Sequence, residues 1–383
     1  MNDDAKPKNR WRRLIGIVCS LVSLVVLTYI AVSLISGQPL GMSWITDIFS
    51  DHEPVVMADE YHFDVGRARV FADLGGSLAA AGTLGVQVLN AEGDETLRDS
   101  FRMSSPAIDA QNGRAIVFDI GGKFVRVIDK TEIDVSFETN GVVIAASINQ
   151  NGWFCVCTQE GGGSRGLVTV YNEAGKDVFM VNMVTGYVLS AALSPDNRNL
   201  VVLNLTGDGS RITYYSLNNE NAERVFDLPG GLIIDMWYLP GGDVLAVSTD
   251  SLILAGRNNT VRELYGFSGK RLGGYARGNG FIALHLFDYG VGHRGRIVTI
   301  SDGGRLLGEL ETDIEILSIS AGDGYLAVLR SDSLLFYDDA LEELAPSGKT
   351  TPTGGATQVL ALGGSMALAA GDHSAVVCAA APP

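Results

Sequence analysis

From about residue 60 onward, one unit keeps returning along this chain: a strand of small residues, a turn of Gly, Asn or Asp, and a strongly apolar strand. Its clearest copies are AASINQNGWFCVCT (Ala145 to Thr158), AALSPDNRNLVVLN (Ala191 to Asn204), MWYLPGGDVLAVST (Met236 to Thr249) and LSISAGDGYLAVLR (Leu317 to Arg330). Weaker copies are VFADLGGSLAAAG (Val70 to Gly82), PAIDAQNGRAIVFD (Pro106 to Asp119), GGYARGNGFIALHL (Gly273 to Leu286) and QVLALGGSMALAAG (Gln358 to Gly371). Aligned on Gly76, Gly113, Gly152, Asn197, Gly242, Gly280, Gly324 and Gly364, the copies are 37, 39, 45, 45, 38, 44 and 40 residues apart. Steps of this size, carrying short β-rich runs and no amphipathic helical period, match the blades of a β-propeller. The expected fold is all-β, an eight-bladed β-propeller over residues 60–380, with seven blades as the alternative count.

The local chemistry agrees. Blades stacked face to face bury both sides of their inner strands, so those strands read as nearly continuous apolar runs. Small residues on the first strand suit a crowded axis, and each turn glycine or asparagine can take the positive φ of a hairpin. Two further strands follow each turn, as in Ile212 to Leu217 and Arg224 to Leu228. The last unit has room for three strands only, because after Ala375 to Ala379 the sequence reads Ala-Pro-Pro. EYHFDV (Glu60 to Val65) resembles the outer strand ERVFDL (Glu223 to Leu228), so residues 60–65 are expected to complete the final blade and close the ring.

Leu193-Ser194-Pro195-Asp196-Asn197-Arg198 resembles the "SPDG" turn of WD40-like and surface-layer-type propellers, and the count of eight resembles the quinoprotein-like class. The layout of basic tail, apolar span and acidic propeller is similar to that of single-pass membrane propeller proteins of clostridial bacteria. These resemblances cover most of residues 60 to 380 and imply a fold, not an activity. No Trp-Asp dipeptide ends a strand. Only Trp153 and Trp237 fall inside the domain, so the repeated tryptophan docking of quinone-cofactor propellers is missing, and no cofactor is expected.

Residues 1–13 form a basic tail, with Lys6, Lys8, Arg10, Arg12 and Arg13 against Asp3 and Asp4. Leu14 to Ile35 is a run of 22 residues without a charge, enough to span a bilayer as a helix. The basic flank favours a cytoplasmic N-terminus and places the propeller outside, beyond a juxtamembrane linker at 36–59. A cleaved signal peptide competes through Ala31-Val32-Ser33, but the apolar run exceeds the usual length of such segments.

The chain carries a net charge of −16, of which the tail contributes +3 and the remainder −19. Such acidity repels phosphates, so no nucleic-acid partner is expected. Cys155 and Cys157 share one strand face at a spacing too long for a bridge, and no Cys/His spacing suits zinc, so neither structural disulfides nor a metal site is expected.

His285 reads as a core histidine. His293, in DYGVGHRG (Asp288 to Gly295), marks the best single candidate for a functional loop, although a solvated hairpin is the favoured reading. Gly161 to Gly163 and Thr206 to Ser210 read as turns, lacking the partners of a phosphate loop or a calcium site. No catalytic motif or site residue is identified. The expected function is an extracytoplasmic binding or scaffolding module for a protein, peptide or cell-envelope ligand, and the alternative is a hydrolase or lyase acting on envelope polysaccharide. Two carboxylates flanked by aromatics in the channel would point to the second.

Overall fold

A computed structural model of the chain describes residues 60–159, 165–229, 231–256, 258, 260–288, 294–344, 346–347 and 355–380. The expected span Leu14–Ile35 and the linker lie outside the described residues. Among those that are described, no helix is long and apolar enough to cross a membrane.

Eight antiparallel sheets make up the propeller. Blade 1 comprises Val70–Asp73, Leu78–Gly82, Gly85–Leu89 and Glu95–Ser100; blade 2, Pro106–Gln111, Arg114–Asp119, Phe124–Ile128 and Ile133–Glu138. Blade 3 comprises Val142–Ile148, Phe154–Gln159, Leu167–Tyr171 and Asp177–Asn182; blade 4, Tyr187–Leu193, Asn199–Thr206, Gly209–Ser216 and Asn219–Pro229. Blade 5 comprises Ile233–Tyr238, Val244–Ser248, Ser251–Gly256 and Thr260–Gly266; blade 6, Arg271–Arg277, Phe281–Phe287, Gly295–Ser301 and Leu306–Thr312. Blade 7 holds Ile316–Ala321, Tyr325–Arg330 and Leu334–Asp338, and blade 8 holds Gln358–Leu362, Met366–Ala370 and Ser374–Ala380. The first strands of neighbouring blades approach one another around the axis, and that of blade 8 returns to that of blade 1.

The eight residues on which the repeats align are all turn residues with positive φ: 88° at Gly76, 80° at Gly113, 76° at Gly152, 58° at Asn197, 87° at Gly242, 81° at Gly280, 75° at Gly324 and 72° at Gly364. Asn197 is the one position with a side chain, and asparagine tolerates this region better than most residues.

Between the blades lie eight apolar clusters, one at each seam. On the second strand of blade 3, Phe154 and Val156 face blade 2, whereas Cys155 and Cys157 face blade 4. The same alternation on blade 4 sends Leu200 and Val202 toward blade 3 and Val201 and Leu203 toward blade 5. A strand of period two that is apolar on both sides is what stacked blades require, and it accounts for the unbroken apolar runs. Each large side chain buried there contributes about 1.5–3 kcal/mol.

The ring closes through the N-terminal strand Glu60–His62, which pairs antiparallel with the third strand of blade 8 in the register Glu60↔Val376, Tyr61↔Ala375 and His62↔Ser374. The backbone N–H of Phe63 extends the contact to the His373 carbonyl at 3.1 Å. Tyr61, Phe63 and Val65 are buried between blades 8 and 1 with Leu78, Leu89 and Leu368.

Among the described residues, blade 7 has three strands. After Asp338 the chain turns tightly, with the Asp338 carboxylate accepting the N–H groups of Ala340 and Glu342 at 3.0 and 2.8 Å. The turn is tied to blade 6, where the Thr299 hydroxyl donates to the Asp339 carbonyl at 2.7 Å. Glu343 and Leu344 touch the end of the third strand. Pro346–Ser347 then crosses to blade 8, pairing with Ala379 and Ala380. The outer edge of blade 8's third strand is thus covered by two short segments, one from before blade 1 and one from after blade 7.

Candidate functional site

Each first strand runs to a hairpin turn and enters its second strand there. The disc therefore has a hairpin face, where these turns gather, and a linker face, where blade-to-blade connections cross. Asparagines tie neighbouring turns together on the hairpin face. Asn149 Nδ2 donates to the Ser194 carbonyl at 3.0 Å and to Asn197 Oδ1 at 2.5 Å, and Asn151 Nδ2 to the Pro195 carbonyl at 2.6 Å. Asn112 reaches the Gln150 carbonyl and Asn279 reaches Asp323 in the same way, at 3.2 and 3.0 Å.

Within this ring of turns a cavity of about 450 Å³ opens against the first strands of blades 2 to 5. Its wall carries two carboxylates, Asp109 from blade 2 and Asp235 from blade 5, together with Ser147, Trp237 and Tyr238. First strands border the channel with one edge unpaired, so their backbone N–H groups need partners from the neighbouring blade. Asp109 Oδ2 supplies one, accepting the Ile148 N–H of blade 3 at 2.9 Å. Ser318 and Ser320 do the same between blades 7 and 8, accepting from Val359 and Ala361 at 3.2 and 2.9 Å.

Asp235 Oδ1 accepts the Met236 N–H at 2.8 Å, and Oδ2 accepts the Tyr275 hydroxyl of blade 6 at 3.1 Å. Tyr275 in turn meets the Trp237 ring edge to face, with centroids 5.7 Å apart. These contacts fix Asp235 from two blades at once.

Asp109 keeps partial contact with solvent through the channel, yet protein surrounds its carboxyl. Burial pushes its pKa up to about 6; the Ile148 N–H opposes the shift and the charge of Asp235 adds to it. Burial also raises Asp235, against the opposing hydrogen bonds from Met236 and Tyr275. Two carboxyls on one wall oppose each other's ionisation. Behind Asp109, Cys155 lies 3.2 Å from the Ser147 hydroxyl, and burial pushes its thiol up to about 12, so it is a thiol and not a nucleophile at neutral pH.

His285 is partly buried on the second strand of blade 6, 5.9 Å from the Phe287 ring, and burial lowers its pKa, which keeps it neutral. Thr206 to Ser210 form a hairpin whose Thr206 hydroxyl donates to the Gly209 carbonyl at 2.9 Å. His293 and Gly161 to Gly163 lie outside the described residues. Asp129, Glu132 and Asp134 approach within 4.8 Å, but the Asp129 carboxylate caps its own turn through Thr131 and Glu132, and Asp134 faces Arg114 at 3.2 Å.

No sequence motif marks Asp109 or Asp235. The signal available was an acid inside a first strand otherwise built of small or apolar residues, as in PAIDAQ and IIDMWY.

A profile described as a family of unknown function, DUF5711, matches residues 53–345. Among solved structures, the chain is similar to the C-terminal WD40 domain of Sif2, at 12% identity and a TM-score of 0.58, covering 84% of this chain and 99% of that one. It is also similar to the β-propeller domain of Cps50 (Swd1) from Myceliophteria thermophila, at 12% identity and a TM-score of 0.51, covering 72% and 96%. At these identities the likeness concerns the fold alone. No match is found among curated proteins.

Proposed function

The chain belongs to the family of unknown function DUF5711, and we propose that it is a membrane-anchored, extracytoplasmic binding module whose channel mouth holds a cationic side chain of a protein or peptide partner. The anchor rests on the uncharged run Leu14 to Ile35 and the five basic residues before it. The binding role rests on one observation: Asp109 and Asp235 face the same cavity. An ammonium or guanidinium group placed between them favours both ionised forms, and the Trp237 and Tyr238 rings offer cation–π contact beside it. Both carboxylates already accept hydrogen bonds from the wall, so they are held in position before a guest arrives.

A second reading has its own support. A carboxyl that keeps its proton near pH 6, a second carboxyl on the same wall, and Trp237 and Tyr275 beside the latter are elements of a glycosidase site. The hydrogen bonds that commit Asp109 and Asp235 to the backbone favour binding over proton transfer.

Calorimetry with tri-arginine decides between them. Binding is expected to be tighter at pH 7.5 than at pH 5, with proton release on binding, and to be lost in Asp109→Asn with Asp235→Asn. Equal binding by the double variant sinks the proposal. Hydrolysis of a cell-envelope glycan that both single variants abolish establishes the second reading instead.

A further inference from the structure

The linker face differs from the hairpin face in its apolar exposure. Val142, Tyr187 and Leu232 each stand ten residues before the turn residue of their blades, Gly152, Asn197 and Gly242. They begin the first strand, or directly precede it, in three consecutive blades, and are 37%, 50% and 43% exposed. Val184, in the linker between blades 3 and 4, is 78% exposed, and Leu205 and Ile234 add to the same side. The repeat thus sets a row of apolar side chains side by side at one face of blades 3 to 5, where isolated exposed apolar residues would be unremarkable.

Charge surrounds this row unevenly. Glu138, Asp208 and Asp250 are exposed at the same ends of blades 2, 4 and 5. Of the nearby cations, Lys123 stands on blade 2 like Glu138, Arg211 of blade 4 is paired with Asp227 at 2.6 Å, and the Arg165 guanidinium lies over the Tyr187 ring, 5.2 Å from its centroid. The chain beyond residue 13 carries −19, so a second copy would approach against like charge. A basic partner would approach with the field.

We infer that the linker face of blades 3 to 5 docks a polypeptide segment whose apolar side chains are flanked by lysine or arginine. Valine and leucine side chains would cover Val142, Val184, Tyr187 and Leu232, while the flanking cations meet Glu138, Asp208 and Asp250. This surface lies on the other side of the disc from the channel mouth, so one blade set would hold two partners at once, which makes the module a scaffold.

The test uses the full chain in neutral detergent, with Asp109→Asn and Asp235→Asn in place so that the channel mouth contributes nothing. Fluorescein-labelled peptides KKVSLSVKK, EEVSLSVEE and KKSSSSSKK are titrated by anisotropy. The first is expected to bind at least about tenfold more tightly than either of the others. Substituting Val184→Ser, Tyr187→Ser and Leu232→Ser together is expected to weaken it by about tenfold or more, and Val178→Ser with Met180→Ser on the outer strand of blade 3 to leave it unchanged. Circular dichroism establishes that each variant is folded. Equal binding of the three peptides, no binding of the first, or equal loss in the outer-strand variant overturns the proposal. Self-association that the triple variant abolishes also overturns it, and assigns the face to a second copy.

Discussion

The carboxylate of Asp109 on blade 2 accepts the backbone N–H of Ile148 on blade 3 at 2.9 Å, so one side chain both seals a blade seam and forms the wall of the channel mouth. Its pKa of about 6 lies above the ordinary value of 3.8 that it recovers on unfolding. A group raised in the folded state gives its full stabilisation below the unfolded value, and that stabilisation is lost as pH rises through the folded one. Asp109→Asn is expected to match the parent near pH 3, below the unfolded value, and to exceed it at pH 7.5 by up to about 2–3 kcal/mol. Thermal melts across that range check the sign.

Tyr61 is buried where the ring closes, and its hydroxyl lies 3.4 Å from the Ala91 carbonyl. The aromatic ring packs with Leu78, Leu89 and Leu368 and supplies the larger part of the closure. Tyr61→Ala is expected to cost about 3–5 kcal/mol and Tyr61→Phe less than about 1 kcal/mol in urea unfolding.

Asn204 points into the seam between blades 3 and 4, on the same side of its strand as Leu200 and Val202. It is fully buried, and neither its amide oxygen nor its nitrogen has a hydrogen-bond partner. Such a group costs about 1–3 kcal/mol. Asn204→Leu, close in volume, is expected to raise stability by about 1–2 kcal/mol, and Asn204→Asp to lower it. Paired urea titrations decide the sign.

Gly280 has a φ of 81° with open space where a side chain would project. Only backbone strain opposes substitution there. Gly280→Asn is expected to cost less than about 1 kcal/mol, as Asn197 implies at the equivalent turn, and Gly280→Val about 1–2 kcal/mol or more. Chemical denaturation of the pair separates strain from steric overlap.

The fold was legible because every blade repeats the same local rule. A turn residue able to take positive φ stands between a small-residue strand and a strand apolar on both faces, and eight such turns give eight blades. Glu60 to Val65 could be matched to an outer strand because FDV and FDL share one pattern of buried and exposed side chains. Blade 7 was less legible, since its third strand runs into a turn at Asp338 to Glu342 that is held by Thr299 of the previous blade. The channel mouth was legible only as an acid inside each of two first strands, not as a pair. Asp109 and Asp235 share a wall only because four blades curve around an axis, and nothing in the local sequence of either carries that curvature.

The two segments on the outer edge of blade 8's third strand carry a consequence for synthesis. Glu60 meets Val376, so the earliest strand of the disc must wait, unpaired, for the latest to emerge. Seven seams can assemble in order behind the translating or translocating machinery. The eighth demands a loop closure spanning nearly the whole domain, which makes the final step slow and leaves an unfinished disc exposed at both ends to any strand that arrives first.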